Sequence, residues 1–100
     1  TRAGIAAYLH WLAADPALAR VFLIEVAAAG PQALERRERL RDRYAELIGE
    51  RADQPFEVLH AVVAAVDDVV VRHIREHGAE GLTELEPVLV YLQTKLLSAR

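Results

Sequence analysis

Two groups of residues in this 100-residue chain have types and spacings suited to chemistry. His73-Ile74-Arg75-Glu76-His77 matches H-x-x-E-H, the inverted zinc-protease pattern, in which two His four apart bind zinc and the Glu acts as base. That chemistry needs a third protein ligand from elsewhere. Here the pattern falls in the last turns of a helix that Gly78 ends at the next position. His and Arg in that place suit the negative end of a helix dipole, so the stretch reads as a solvated C-terminal turn, not a protease site. The second group is Glu25 with His60 or Asp67, each on an otherwise interior stripe, in composition an acid–base pair or a metal corner. The aliphatic hydroxyls are few (Thr1, Thr83, Thr94, Ser98) and there is no cysteine, so no nucleophile accompanies them. Two readings stand: a buried ion pair or hydrogen-bonded core group, or polar anchors in an otherwise apolar ligand pocket. Neither is an enzyme, and the sequence assigns no catalytic residue, metal or cofactor.

The elements that must position these residues read as helices throughout. Ile5, Tyr8, Leu9 and Leu12 recur at i, i+3, i+4, i+7 on one face of a first helix, with Trp11 flanking it and His10 pointing away. Asp15-Pro16 supplies an N-cap and a first-turn proline for a second helix, expected to run to about Ala29 and close at Gly30 as a left-handed cap. Val21-Phe22-Leu23-Ile24-Glu25-Val26 is apolar almost all round, the mark of a central helix. Glu25 shares a stripe with Leu18, Val21, Phe22 and Ala29, and a buried carboxylate there must be paired or change its ionisation.

Pro31 opens a third helix to roughly Arg51, with an expected inward stripe of Ala33, Leu40, Tyr44, Leu47 and Ile48. Its Glu-Arg-Arg-Glu-Arg run alternates acids with bases at helix-pairing distance and is a solvated face, not a nucleic-acid patch. Asp53-Gln54-Pro55 breaks the chain before a fourth helix that ends at Gly78. On a helical wheel Val58, Leu59, Val62, Val66, Val69 and Val70 fill one arc, and the small face carries Ala61, Ala64, Ala65 and Asp68. Between them runs a stripe of His60, Ala64, Asp67 and Val71. Thr83-x-x-Glu86 has capping-box spacing for a fifth helix, with one stripe of Leu85, Leu89, Leu92 and Leu96 and a second containing Val90 and Leu97.

Composition bounds the rest. A single domain over residues 1–100 can bury one modest core, and with 53% apolar residues the chain is globular. A net charge of −3 argues against nucleic acid as the direct partner of this piece, since phosphate binding needs clustered Lys and Arg. No apolar run reaches a membrane span and no signal peptide is visible. The chain begins at Thr1, within the first helix, and is expected to be a fragment. Tyr8, Trp11, Phe22 and Tyr44 come from the first three helices; core packing is the ordinary reading of each, and an aromatic-lined cavity is the alternative.

Tyr8-Leu-x-Trp-Leu-Ala-Ala-Asp-Pro-Ala-Leu-Ala-Arg-Val-Phe-Leu-Ile-Glu-Val-Ala-Ala-Ala-Gly-Pro31 closely resembles the ligand-binding domain of tetracycline-repressor (TetR/AcrR) family transcriptional regulators, especially those of actinobacteria. The Arg/Glu helix after Gly30-Pro31, the small-residue fourth helix and Pro87-x-Leu89-Val-Tyr-Leu92 fit the same pattern, so the resemblance covers almost the whole chain. It implies an all-helical regulatory domain dimerising through its last two long helices as a four-helix bundle. It also implies a small lipophilic effector held between the other helices, re-spacing two N-terminal helix-turn-helix domains on operator DNA. Those DNA-binding residues are absent here. Many members carry Gly-Gly and Tyr-Glu in the fourth helix where this chain has Ala64-Ala65 and Asp67-Asp68, so no effector carries over.

The sequence therefore predicts an all-α, five-helix regulatory domain, cytoplasmic and without a membrane partner, homodimeric through Pro55–His77 and Glu84–Ala99. Tyr8, Trp11, Phe22, Glu25, Tyr44, His60, Val63 and Asp67 are the candidate ligand contacts. Ala61, Ala64, Ala65, Asp68, Val90 and Leu97 are the candidate dimer contacts. A structural homodimerisation module without a ligand is the alternative.

Overall fold

Asp15 Oδ1 accepts a hydrogen bond from the Leu18 N–H at 3.1 Å and Pro16 follows it at the first helical position, so the first break in the sequence is a helix boundary. A computed structural model describes residues 2–98. Their α-helices are α1 (Arg2–Ala14), α2 (Pro16–Leu23), α3 (Pro31–Gly49), α4 (Phe56–His77) and α5 (Glu86–Ser98). Short 3₁₀ segments, Glu25–Ala29 and Leu82–Leu85, lead into α3 and α5. The fold is all-α, with no strand among the described residues.

The second helix is shorter than its sequence pattern. It stops at Leu23, whose carbonyl accepts a hydrogen bond at 3.1 Å from Arg37 Nη1 of α3. That bond satisfies one of the carbonyls a helix end leaves open. The chain then tightens to three residues per turn, which rotates Val26 inward and Glu25 outward. Gly30 ends the segment at φ 101°, ψ 175°, outside the left-handed helical region expected of it but still at a positive φ that favours glycine.

α4 is the spine. Leu59, Val62, Val63, Val66, Val70 and Ile74 are buried along it, while Val58 and Val69 are half-buried. Its C-terminal part joins Ile5, Leu9 and Leu12 of α1, Ala19 and Leu23 of α2, Leu82, and Leu89 of α5 in the main core. Its N-terminal part makes a second cluster, Leu59 and Val63 against Ala45 of α3, flanked by Ile48, Ala52 and Leu97. The molecule is a slab of 37 × 31 × 18 Å, less than two helix diameters thick.

α3 and α5 are rotated from their expected registers. Leu40, Tyr44 and Leu47 of α3 face outward, and the side chains turned toward α4 are Arg37, Arg41, Ala45 and Ile48. The cause is electrostatic and lies on α4, as described below. In α5 the inward positions are Leu89 and Gln93, with Val90 half-buried on the main core and Leu97 on the smaller cluster. Val88, Tyr91 and Leu96 are left exposed. Glu86, expected to close a capping box with Thr83, instead pairs with Arg2 at 3.0 Å and starts α5 after the 3₁₀ turn.

Candidate functional site: a buried charge network beside an arginine-lined groove

Asp67 is the buried carboxylate of α4, 7% exposed. A charge removed from water must be paired and hydrogen-bonded, and three helices contribute to that. The Tyr8 hydroxyl of α1 donates to Asp67 Oδ1 at 2.8 Å. Arg41 Nε of α3 donates to Oδ2 at 3.0 Å, and Arg37 Nη2 lies 3.9 Å from the same oxygen. Arg37 and Arg41 stand one helical turn apart, so both guanidiniums reach one acid. This is why α3 turns its arginines inward and leaves Tyr44 and Leu40 outside.

Burial raises the ionisation of the Tyr8 phenol well above its ordinary range, and the charge of Asp67 and the hydrogen bond to it push the same way. Tyr8 is thus a fixed donor. Burial lowers the Arg37 pKa, the neighbouring Arg41 lowers it further, and Asp67 opposes both. Arg37 Nε is buried without a hydrogen-bond partner.

Beside this network the surface opens into a groove of about 590 Å³. Leu23, Ile24, Val26 and Ala27 form one wall and Leu34, Arg37 and Arg41 of α3 a second. Ala64, Ala65, Asp68, Val71 and Arg75 of α4 form the floor. The small residues of α4 make the groove, since alanines there leave the space between it and the 3₁₀ segment unfilled.

Among the eight candidate ligand contacts, none lines this groove. Asp67 and Tyr8 lie behind its arginine wall. Trp11 and Phe22 meet edge to face at 5.9 Å near the surface, with Trp11 49% exposed, and Tyr44 is exposed, so the aromatics do not converge on a cavity. Glu25, expected on an interior stripe, is solvent-exposed with Arg20 Nε at 3.7 Å, because the 3₁₀ segment reversed its side. Val63 is core in the smaller cluster. His60 faces α3, its Nε2 2.6 Å from Glu38 Oε1 and 3.5 Å from Asp42 Oδ1. The ligand atoms of those three residues lie within 4.8 Å of one another at the surface, the only such trio among the described residues. Of the candidate dimer contacts, Ala64, Ala65 and Asp68 border the groove and Ala61 is exposed, whereas Val90 and Leu97 pack within the chain. In the H-x-x-E-H stretch, the His73 ring nitrogen lies 2.7 Å from the Glu80 carbonyl and Arg72 holds Glu76 at 3.0 Å.

Arg37, Arg41 and Arg75 are the residues the sequence reading left out. A signal existed: 37, 41, 45 and 48 form an unbroken helical stripe that ends in Ala45 and Ile48. Comparison with protein-family models, with curated proteins and with solved structures found no match.

Proposed function

We propose that this chain is the effector-binding and dimerisation domain of a TetR-like transcriptional repressor, acting in the cytoplasm and reaching operator DNA through a domain outside the chain. The observation that carries the ligand half is the groove between the 3₁₀ segment, α3 and α4, whose volume falls in the ordinary range for small-molecule sites, roughly 300–1,000 Å³. It supports a lipophilic effector because Leu23, Ile24, Val26, Leu34 and Val71 supply apolar surface. The resemblance across residues 8–31 supplies the regulatory context.

The dimer half is supported by the thin slab and by α5, which exposes Val88, Tyr91 and Leu96 along one face. The groove floor is shared with the small-residue face expected to meet a second copy, since Ala64, Ala65 and Asp68 border both. An effector that favours one spacing of the fourth helices would shift the population of operator-competent dimers by its differential affinity for the two states.

Two measurements test this. Light scattering at micromolar concentration is expected to give twice the 11.1 kDa chain mass, and a monomer would remove the dimerisation reading. A thermal-shift screen of lipophilic compounds is expected to find ligands that raise the melting temperature. A dimer that no compound stabilises would favour the second reading, a structural homodimerisation module, which the exposed α5 face supports equally well.

A further inference from the structure

We infer that the groove takes an amphiphile with an anionic head, its carboxylate or phosphate held by Arg37, Arg41 and Arg75 and its apolar tail lying along the 3₁₀ wall. This rests on the ligand-binding reading above and specifies its chemistry. Three guanidiniums border the groove against one carboxylate, Asp68. The acid behind the wall, Asp67, is shared between Arg37 and Arg41, so it does not neutralise both. Arg75, on the floor, has no ion-pair partner among the described residues, and its side chain is exposed to whatever enters.

Donor capacity points the same way. A guanidinium carries five N–H donors. Arg37 uses Nη1 on the Leu23 carbonyl and sits at the long distance of 3.9 Å from Asp67. Arg41 spends Nε on Asp67, with Nη1 3.9 Å from Glu38. Donors remain on Arg41 and Arg75, while Arg37, with its Nε buried and its side chain 14% exposed, adds its charge to theirs. Burial and the closeness of Arg41 already disfavour the charged form of Arg37, a cost that an added anion relieves. The wall that starts at Leu23, beside Arg37, continues with Ile24 and Val26, without a donor or acceptor side chain. A neutral lipophile would leave the cationic half of the groove unmet, and a cationic one would be repelled.

The test uses four ten-carbon probes below their micelle concentrations: decanoate, decyl phosphate, decanol and decyltrimethylammonium, titrated calorimetrically into the chain. Decanoate or decyl phosphate is expected to bind at least about tenfold tighter than decanol, with the cation weakest. Whichever of the two anions binds tighter identifies the head group. Arg75→Gln, on the exposed floor away from the core, is expected to weaken the anions about five- to tenfold and so to narrow their advantage over decanol. Ala65→Leu, which fills the floor, is expected to weaken every probe, with circular dichroism confirming an unchanged helix content. Equal binding of decanol and decanoate, or anion binding indifferent to Arg75→Gln, would overturn the anionic-head inference while leaving a ligand groove in place. Binding by none of the four overturns the inference, and the broader lipophile screen then decides whether the ligand reading falls with it.

Discussion

The Tyr8 hydroxyl donates a 2.8 Å hydrogen bond to Asp67 Oδ1, joining α1 to α4 across 59 positions of sequence. The contact is expected to make the fold sensitive to alkali. The folded-state ionisation of Tyr8 lies above the ordinary tyrosine value of 10.0 because of burial, with Asp67 adding to the effect. A group whose folded value is raised contributes stability in full below its unfolded value and loses that contribution as pH rises toward the folded one. Urea midpoints are therefore expected to fall between about pH 9 and about pH 11, and Tyr8→Phe to remove part of that slope. An unchanged slope in Tyr8→Phe would show that Tyr8 ionises as freely in the fold as in the open chain.

Asp67 is expected to be more costly to lose than to design out. Asp67→Asn leaves two guanidiniums, Arg37 and Arg41, beside each other without their shared anion. The side chains involved are at most 22% exposed, so solvent screens little of this, and the loss is expected to be about 3 kcal/mol in chemical denaturation. Replacing the set together, with Tyr8→Phe, Asp67→Leu, Arg37→Met and Arg41→Leu, is expected to lie closer to wild type than Asp67→Asn alone, since a whole buried polar set exchanges more cheaply than half of one.

Where the sequence reading succeeded and where it failed follows from the range of the forces involved. Helix boundaries at Asp15-Pro16, Gly30-Pro31, Pro55 and Gly78 were legible because capping and proline geometry are local. The division of α4 into a large core face and a small face was legible because one helix wheel contains it. The facing of α3 was not, because Arg37 and Arg41 turn inward to meet a carboxylate on another helix, and an apolar stripe count cannot weigh that. Glu25 changes side because the chain passes from 3.6 to 3.0 residues per turn after Leu23, where Arg37 of another helix bonds the last carbonyl. The groove was illegible for the same reason, since its cationic wall is the Arg37 and Arg41 face of α3, which an apolar stripe count turns outward.

Two Gly→Ala substitutions are expected to act with opposite signs. Gly30 has open space around its Cα but sits at φ 101°, ψ 175°, a conformation nearly restricted to glycine. Gly30→Ala is expected to cost about 1–3 kcal/mol through backbone strain alone. Gly4 has equally open space but lies inside α1, where Ala is the better helix former, so Gly4→Ala is expected to stabilise by about 0.5–1 kcal/mol. Thermal melts of the two variants check both; a neutral Gly30→Ala would mean the turn relaxes.

The outer and inner faces of α5 are expected to separate association from folding. Leu89 is fully buried, and Leu89→Ala removes part of the main core, with an expected loss of about 2–5 kcal/mol whatever the oligomeric state. Tyr91 is 62% exposed and its ring touches the end of Lys95, with Nζ 5.7 Å from its centroid. Tyr91→Glu removes that weak contact but leaves a carboxylate one turn from the same lysine, so the fold of the single chain is expected to change by less than about 0.5 kcal/mol. If α5 is the face that meets a second copy, the new charge would be desolvated against Val88 and Leu96 of both chains, and sedimentation is expected to show a monomer with native helix content. A Tyr91→Glu protein that still sediments as a dimer would move the interface off this face. The small-residue side of α4, which floors the groove, would then be the surface to test.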